Sequence, residues 1–165
     1  NRFYFVHPDG AVQHYDKKHL FTFGGEHKRF TAGTERVVVN FRGVRILLEV
    51  CYDRRFPVWS RNLGDYDMIL YVASWPTPRV DAWSALLRAR AIENQCYVAG
   101  VNRMGTDPAC EYSGGSAIID PYGKTIAECP WSRESAVSAD IDMEALQAFR
   151  KKFPVLDDAD PFTLI

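Results

Sequence analysis

The chain has 165 residues, of which 47% are hydrophobic, 13% aromatic and 25% charged, the proportions of one ordinary globular domain with a core of its own. A net charge of −1, with the basic residues dispersed, argues against a polyanionic partner, so neither nucleic acid nor an anionic membrane surface is expected, and small molecules are. Four cysteines at irregular spacing (Cys51, Cys96, Cys110, Cys129) suggest neither a zinc site nor a disulfide framework, and no signal peptide or membrane-length apolar run is visible. The expectation is a cytoplasmic protein with no cofactor and no metal.

Arg2 to His7 and Ala11 to Tyr15 flank Pro8-Asp9-Gly10, where proline fixes its own φ and glycine supplies a positive one, so a β-hairpin is predicted. The hairpin runs into Asp16-Lys17-Lys18-His19-Leu20-Phe21, then a glycine-rich loop carrying Glu26. On composition alone the two lysines read as a solvated strand end and Glu26 as a solvated loop carboxylate. The chain starts at Asn1 inside a strand pattern without an initiator methionine, so residues upstream are expected.

A second hairpin is predicted from Arg36–Phe41 and Val44–Val50 around Arg42-Gly43. A short helix follows from Pro57 to Leu63, stopped at Gly64, then a strand buried on both faces from Met68 to Ala73. Asp81 to Gln95 reads as a helix with Asp81 at its N-cap and Trp83, Leu86, Leu87, Ala91 and Ile92 on one side. Strands are predicted at Tyr97–Val101, Ser116–Asp120, Lys124–Ala127 and Ala136–Ile141, with a final amphipathic helix at Met143–Lys152. Alternation in the middle with hairpins on either side predicts an α/β fold on a mixed sheet, with no repeat and no linker.

The apolar run Val44 to Val50 ends at Cys51, and Pro57 opens a helix six residues later, so Cys51 is expected on a sharp strand-to-helix turn. A nucleophile profits there, because the sulfur is exposed at the sheet edge and the next backbone N–H, that of Tyr52, points at an oxyanion forming on the substrate. The alternative is a small hydrophobic residue ending a buried strand.

Three blocks together resemble the nitrilase superfamily of carbon-nitrogen hydrolases: Tyr15-Asp16-Lys17-Lys18-His19-Leu20-Phe21, Val50-Cys51-Tyr52-Asp53-Arg54-Arg55-Phe56-Pro57, and Leu87-Arg88-Ala89-Arg90-Ala91-Ile92-Glu93-Asn94-Gln95. Within it, Phe56-Pro57-Val58-Trp59-Ser60-Arg61-Asn62, Ser74-Trp75-Pro76 and Lys152-Phe153-Pro154 look like the bacterial omega-amidases. The resemblance implies a four-layer αββα sandwich of two mixed sheets, with residues 1–165 as the C-terminal portion of one hydrolase domain, and a homodimer. It implies hydrolysis of the terminal amide of a short dicarboxylic monoamide such as 2-oxoglutaramate, through a Glu-Lys-Cys triad. Lys17 and Cys51 match two members, Glu26 matches a second glutamate that positions the lysine, and the general-base glutamate belongs to an N-terminal segment outside this sequence.

Glu49, two residues before Cys51 on the strand, is a poor substitute base, since the two side chains diverge from a common target. Trp75 is expected either as a wall of the substrate pocket or as core. A substrate carboxylate calls for a guanidinium, and Arg54, Arg55, Arg79 and Arg103 are candidates; Arg55, inside the nucleophile block, is expected instead in a structural ion pair with Glu93, and the choice among the other three stays open. Rival readings are a Cys-His enzyme using one of His7, His14, His19 and His27, other members of the superfamily acting on nitriles or carbamoyl amides, and a module that keeps the fold without catalysis.

Overall fold

A computed structural model describes residues 1–163. Among these residues ten strands and three α-helices occur in the order β1 (Arg2–Val6), β2 (Val12–Asp16), β3 (Val38–Phe41), β4 (Val44–Val50), α1 (Pro57–Ser60), β5 (Met68–Ala73), α2 (Val80–Glu93), β6 (Tyr97–Asn102), β7 (Met104–Thr106), β8 (Glu111–Ser113), β9 (Ala117–Ile119), β10 (Thr125–Glu128) and α3 (Met143–Lys152). The central sheet has six strands in the order β10-β9-β6-β5-β4-β3, while β1-β2 and β7-β8 are separate hairpins. Strands β4, β5 and β6 are mutually parallel and the outer pairings are antiparallel. Register aligns Val50 with Val72 and Ala73 with Asn102, so three parallel strands finish along one edge.

Alternation along the strands builds two apolar layers. Leu47, Ile69, Tyr71 and Val98 face α2 and meet Trp83, Leu87 and Ala91. Ile46, Leu48 and Val50 point the other way, onto Phe3 and Tyr15 of the first hairpin and onto Trp59. The order of layers is therefore helix, sheet, hairpin. Helix α2 approaches the sheet closely at Gly100, where a Cβ would lie 2.7 Å from Leu87 Cδ1 and 2.9 Å from Trp83 Cζ2. Helix α3 is capped by Asp142, whose carboxylate accepts from the Ala145 N–H at 2.8 Å, and it is stapled by Arg150 to Asp67 at 2.9 Å. Among the described residues no helix is long and apolar enough to cross a membrane.

The first hairpin, strand β5 and helix α3 lie where the sequence places them, and Gly10 has the expected positive φ of 88°. Four expectations change. The helix opened by Pro57 stops at Ser60, because the buried Asn62 donates to the carbonyls of Tyr66 and Asn94 and its own N–H donates to Asn94 Oδ1, which draws the chain out of helical conformation. Asp81 lies inside the first turn of α2 and not at its N-cap, which is Arg79. Ile92 faces outward, and the buried stripe of α2 runs through Arg90 instead. Ala136–Ile141 forms no strand, since it gains no ladder partner among the described residues and Val137 is left exposed.

Replacing Gly100 with Val inserts branched carbon into the α2 contact. The expected cost is about 1–3 kcal/mol, read as a lower urea midpoint, and an unchanged midpoint would show that helix and sheet can separate there without loss.

Candidate active site

Cys51 leaves strand β4 with a φ of 48°, a left-handed conformation costly for a side chain with a Cβ, and begins a 3-10 helix over Cys51–Arg55. The strand alternation thus ends at Val50, and the sulfur stands at the sheet edge, where its thiol lies 3.8 Å from the Ser74 carbonyl after β5. The Tyr52 N–H falls in the first turn of the 3-10 helix, where backbone donors have no intrahelical partner.

Asp53, on the same turn, is fully buried and accepts four hydrogen bonds. Its Oδ2 takes the Tyr15 hydroxyl at 2.8 Å and the Val50 N–H at 3.1 Å, and its Oδ1 takes the His19 N–H at 2.8 Å and the His19 Nδ1 at 2.9 Å. Tyr15 and His19 bracket Lys17, while Val50 immediately precedes Cys51. One carboxylate therefore ties the exit of the first hairpin to the elbow. The Tyr15 hydroxyl also accepts from Trp59 Nε1 and from the Lys18 N–H, both at 3.1 Å.

Lys17 is 2% exposed, far from the solvated strand end that two adjacent lysines suggest. Its Nζ lies 2.6 Å from Glu26 Oε2, which also accepts the Phe21 N–H at 2.5 Å, and Glu26 Oε1 accepts from Asn1 Nδ2 at 2.6 Å. Burial raises the proton affinity of the Glu26 carboxyl, but Lys17, the Phe21 N–H and Asn1 outweigh it and hold the group below its ordinary value. Glu26 is thus an ionised anchor for the lysine. Burial pushes the Cys51 thiol up, against the pull of Lys17 and Arg54, so lysine alone does not leave a thiolate waiting.

Lys17, Glu26, Cys51, Tyr52 and Trp75 all line one cavity of about 510 Å³, together with Arg55, Arg79, Phe21 and Ser74. Trp75 is both wall and core: 3% exposed, it donates from Nε1 to the Arg79 carbonyl at 2.6 Å. Asn102, which sequence reasoning missed, holds the Trp75 loop by accepting its N–H at 2.7 Å and donating to its carbonyl at 3.0 Å. The available signal was position, since ligand sites of open parallel sheets gather beyond the carboxyl ends of the strands.

Of the four candidate arginines, Arg55 and Arg79 reach the cavity. Arg54 is buried in the core, and Arg103 stacks over Tyr112 on the small hairpin, 3.6 Å from Asp107. The expected Arg55–Glu93 pair does not form, because Arg90 takes Glu93 at 2.6 Å. None of the four histidines lines the cavity, and His19 is stacked on Phe56 with centroids 3.8 Å apart, which leaves a Cys-His dyad without its imidazole. Glu49 faces α2, sealed from solvent, with Ser60 Oγ donating to it at 2.9 Å. Burial, with Asp53 nearby, pushes its carboxyl up to about 8, so it is neutral at pH 7 and has no access to the cavity.

A thiol on a strained elbow and a buried lysine–glutamate pair thus converge on one cavity at the ends of the parallel strands of an α/β fold. Comparison with known proteins supplies the family. Residues 1–151 match the model of the carbon-nitrogen hydrolase family, and the chain belongs to that family. It is 54% identical over 165 residues to omega-amidase YafV of Escherichia coli K12, covering 99% of this chain and 64% of that protein. It is 40% identical over 161 residues to the 2-oxoglutaramate amidase of Bacillus subtilis 168, covering 96% and 62%. The crystal structure of XC1258 from Xanthomonas campestris, a CN-hydrolase superfamily protein with an arsenic adduct in its active site, superposes with a TM-score of 0.96 at 48% identity, over all of this chain and 65% of that one. The chain thus spans a little under two thirds of the length of these relatives, and carries the corresponding part of the nitrilase-like fold.

The neutral Glu49 makes stability depend on pH. Folding raises its pKa from 4.5 to about 8, so the folded state keeps a proton that the unfolded state releases, and stability falls as pH rises through that window. Glu49→Gln, which keeps the shape without the proton, is expected to flatten the fall in urea midpoint between pH 5 and pH 8; an identical fall in both proteins would contradict a buried neutral acid.

Proposed function

We propose that the protein hydrolyses the terminal amide of a short dicarboxylic monoamide of the 2-oxoglutaramate type, releasing ammonia through a thioester on Cys51. The observation that carries this reading is the shared cavity: a thiol and a Lys17–Glu26 pair at one side, and two guanidiniums, Arg55 and Arg79, on the same lining. The similarity to an omega-amidase and to a 2-oxoglutaramate amidase supports the substrate class.

The Cys51 sulfur attacks the amide carbon as its proton passes to a carboxylate base. Charge that develops on the carbonyl oxygen is met by the Lys17 ammonium and the Tyr52 N–H, donors held in place before the reaction begins. Collapse of the tetrahedral species breaks the C–N bond, the base returns its proton to the nitrogen, and ammonia leaves. Water then attacks the thioester, again through the base, and the dicarboxylate is released. Glu26 is fixed to Lys17 and takes no proton; the base is assigned to a glutamate outside residues 1–165, in the third of the relatives' length that this chain does not span. Trp75 forms the wall against which the short carbon chain lies. Arg55 and Arg79 carry no ion pair among the described residues and their planar forks suit the distal carboxylate.

The test is ammonia release from 2-oxoglutaramate, from neutral short amides and from a nitrile panel, using protein expressed from its complete coding sequence. Cys51→Ala is expected to abolish turnover. Arg79→Met is expected to weaken kcat/KM for 2-oxoglutaramate by about 10- to 100-fold, the worth of a hydrogen bond to a charged group, while sparing neutral amides. Preference for nitriles, or equal losses on charged and neutral amides, would overturn the assignment.

A further inference from the structure

Arg54 is a guanidinium with 0% exposure, and its Nε, Nη1 and Nη2 find no hydrogen-bond partner among the described residues. It is enclosed by aromatic faces, its Cζ lying 3.7 Å from the Trp83 ring centroid, 4.3 Å from Trp75 and 5.6 Å from Tyr71. Such faces offset part of the desolvation of a cation, but a buried charge without an anion is costly to keep. No carboxylate bonds it directly: the oxygens of Asp53 are taken up by their four donors, and Glu49 is held neutral.

Residues three apart on a 3-10 helix eclipse one another, so Arg54 lies on the face of the turn that carries Cys51, whose side chain packs against the same cluster of Tyr71, Trp75 and Trp83. The charged groups around Cys51 are Lys17 and Glu26 from the first hairpin and its loop, Arg54 and Arg55 from its own turn, and Arg79 across the cavity. Around Arg54 are Tyr71 of β5, Arg90 of α2 and Arg55. Lys17 is neutralised at contact by Glu26 and Arg90 is paired with Glu93, which leaves Arg54 as the buried positive charge beside the sulfur with no carboxylate at contact among the described residues. Burial lowers its proton affinity to about 9, and it remains a cation at neutral pH.

We propose that Arg54 is a positioning residue for the nucleophile: caged by Trp83, Trp75 and Tyr71, its guanidinium stabilises the Cys51 thiolate from the core side while Lys17 meets the substrate oxygen from the cavity side. The inference rests on Cys51 being the nucleophile. It also assigns a trade, because an apolar residue in the cage is expected to suit the fold at least as well.

The test is the pH dependence of Cys51 alkylation by iodoacetamide, followed by peptide mass spectrometry in the protein expressed from its complete coding sequence, without substrate. Arg54→Leu is expected to move the midpoint upward by about one pH unit, with a thermal midpoint equal to or above wild type. Arg54→Lys, which keeps a cation in the cage, is expected to hold the alkylation midpoint close to wild type. An unmoved midpoint in Arg54→Leu, or an equal displacement in Arg54→Lys, would overturn this inference while leaving the amidase reading intact. A Cys51 that resists alkylation at every pH would overturn both.

Discussion

The buried carboxylate of Asp53 is the constraint on which the site depends. Lys17 and Cys51 are far apart in sequence and lie at the ends of strands in different sheets, so no single element fixes their separation. Asp53 fixes it by receiving donors from both sides: Tyr15 and His19 around the lysine, and Val50 beside the cysteine. A charged acceptor with four well-placed donors is strongly held in a low-dielectric interior, and losing any one leaves a buried polar atom unmatched. The strained φ of Cys51 persists because the residue before it is clamped in this way.

Around that clamp the molecule separates its charges by function. The Lys17–Glu26 pair faces the cavity and is internally neutral, so it orients a donor without flooding the site with positive potential. Arg55 and Arg79 face the same space with no ion pair among the described residues, which suits them to an incoming anion. Glu49 and Arg54 lie behind the sheet edge, one neutral and one caged by aromatic rings. The apolar layers on either side of the sheet shield these two groups from solvent, and Asn102, at the end of β6, holds the Trp75 loop that follows β5.

Much of this was legible in the sequence where a local pattern carries a physical cause. Pro8-Asp9-Gly10 forces a turn, Met68–Ala73 is apolar on both faces, and an apolar strand running into Cys51 with Pro57 beyond predicts an elbow; each is found. What local pattern does not contain is the identity of the partner. Ala136–Ile141 has the alternation of a strand and gains no ladder, and Lys17 resembles a solvated lysine until Glu26 is folded against it. Arginine is ordinarily exposed, so the burial of Arg54 depends on where Trp75 and Trp83 lie in space, and Arg55 lost Glu93 to a closer competitor on the same helix. The Asp53 clamp joins positions 15, 19, 50 and 53, a relation that only the fold brings about.

The central claim is that this one carboxylate aligns the amine with the sulfur, and Asp53→Asn tests it most directly. An asparagine offers a single acceptor oxygen, which His19 can use, and turns its Nδ2–H groups toward the Val50 N–H, where a donor meets a donor. With the variant verified as folded by circular dichroism, the account predicts a fall in ammonia release from 2-oxoglutaramate of about 10²-fold, the effect of displacing reacting groups by roughly 1 Å. A folded Asp53→Asn protein that turns over at the wild-type rate would contradict it.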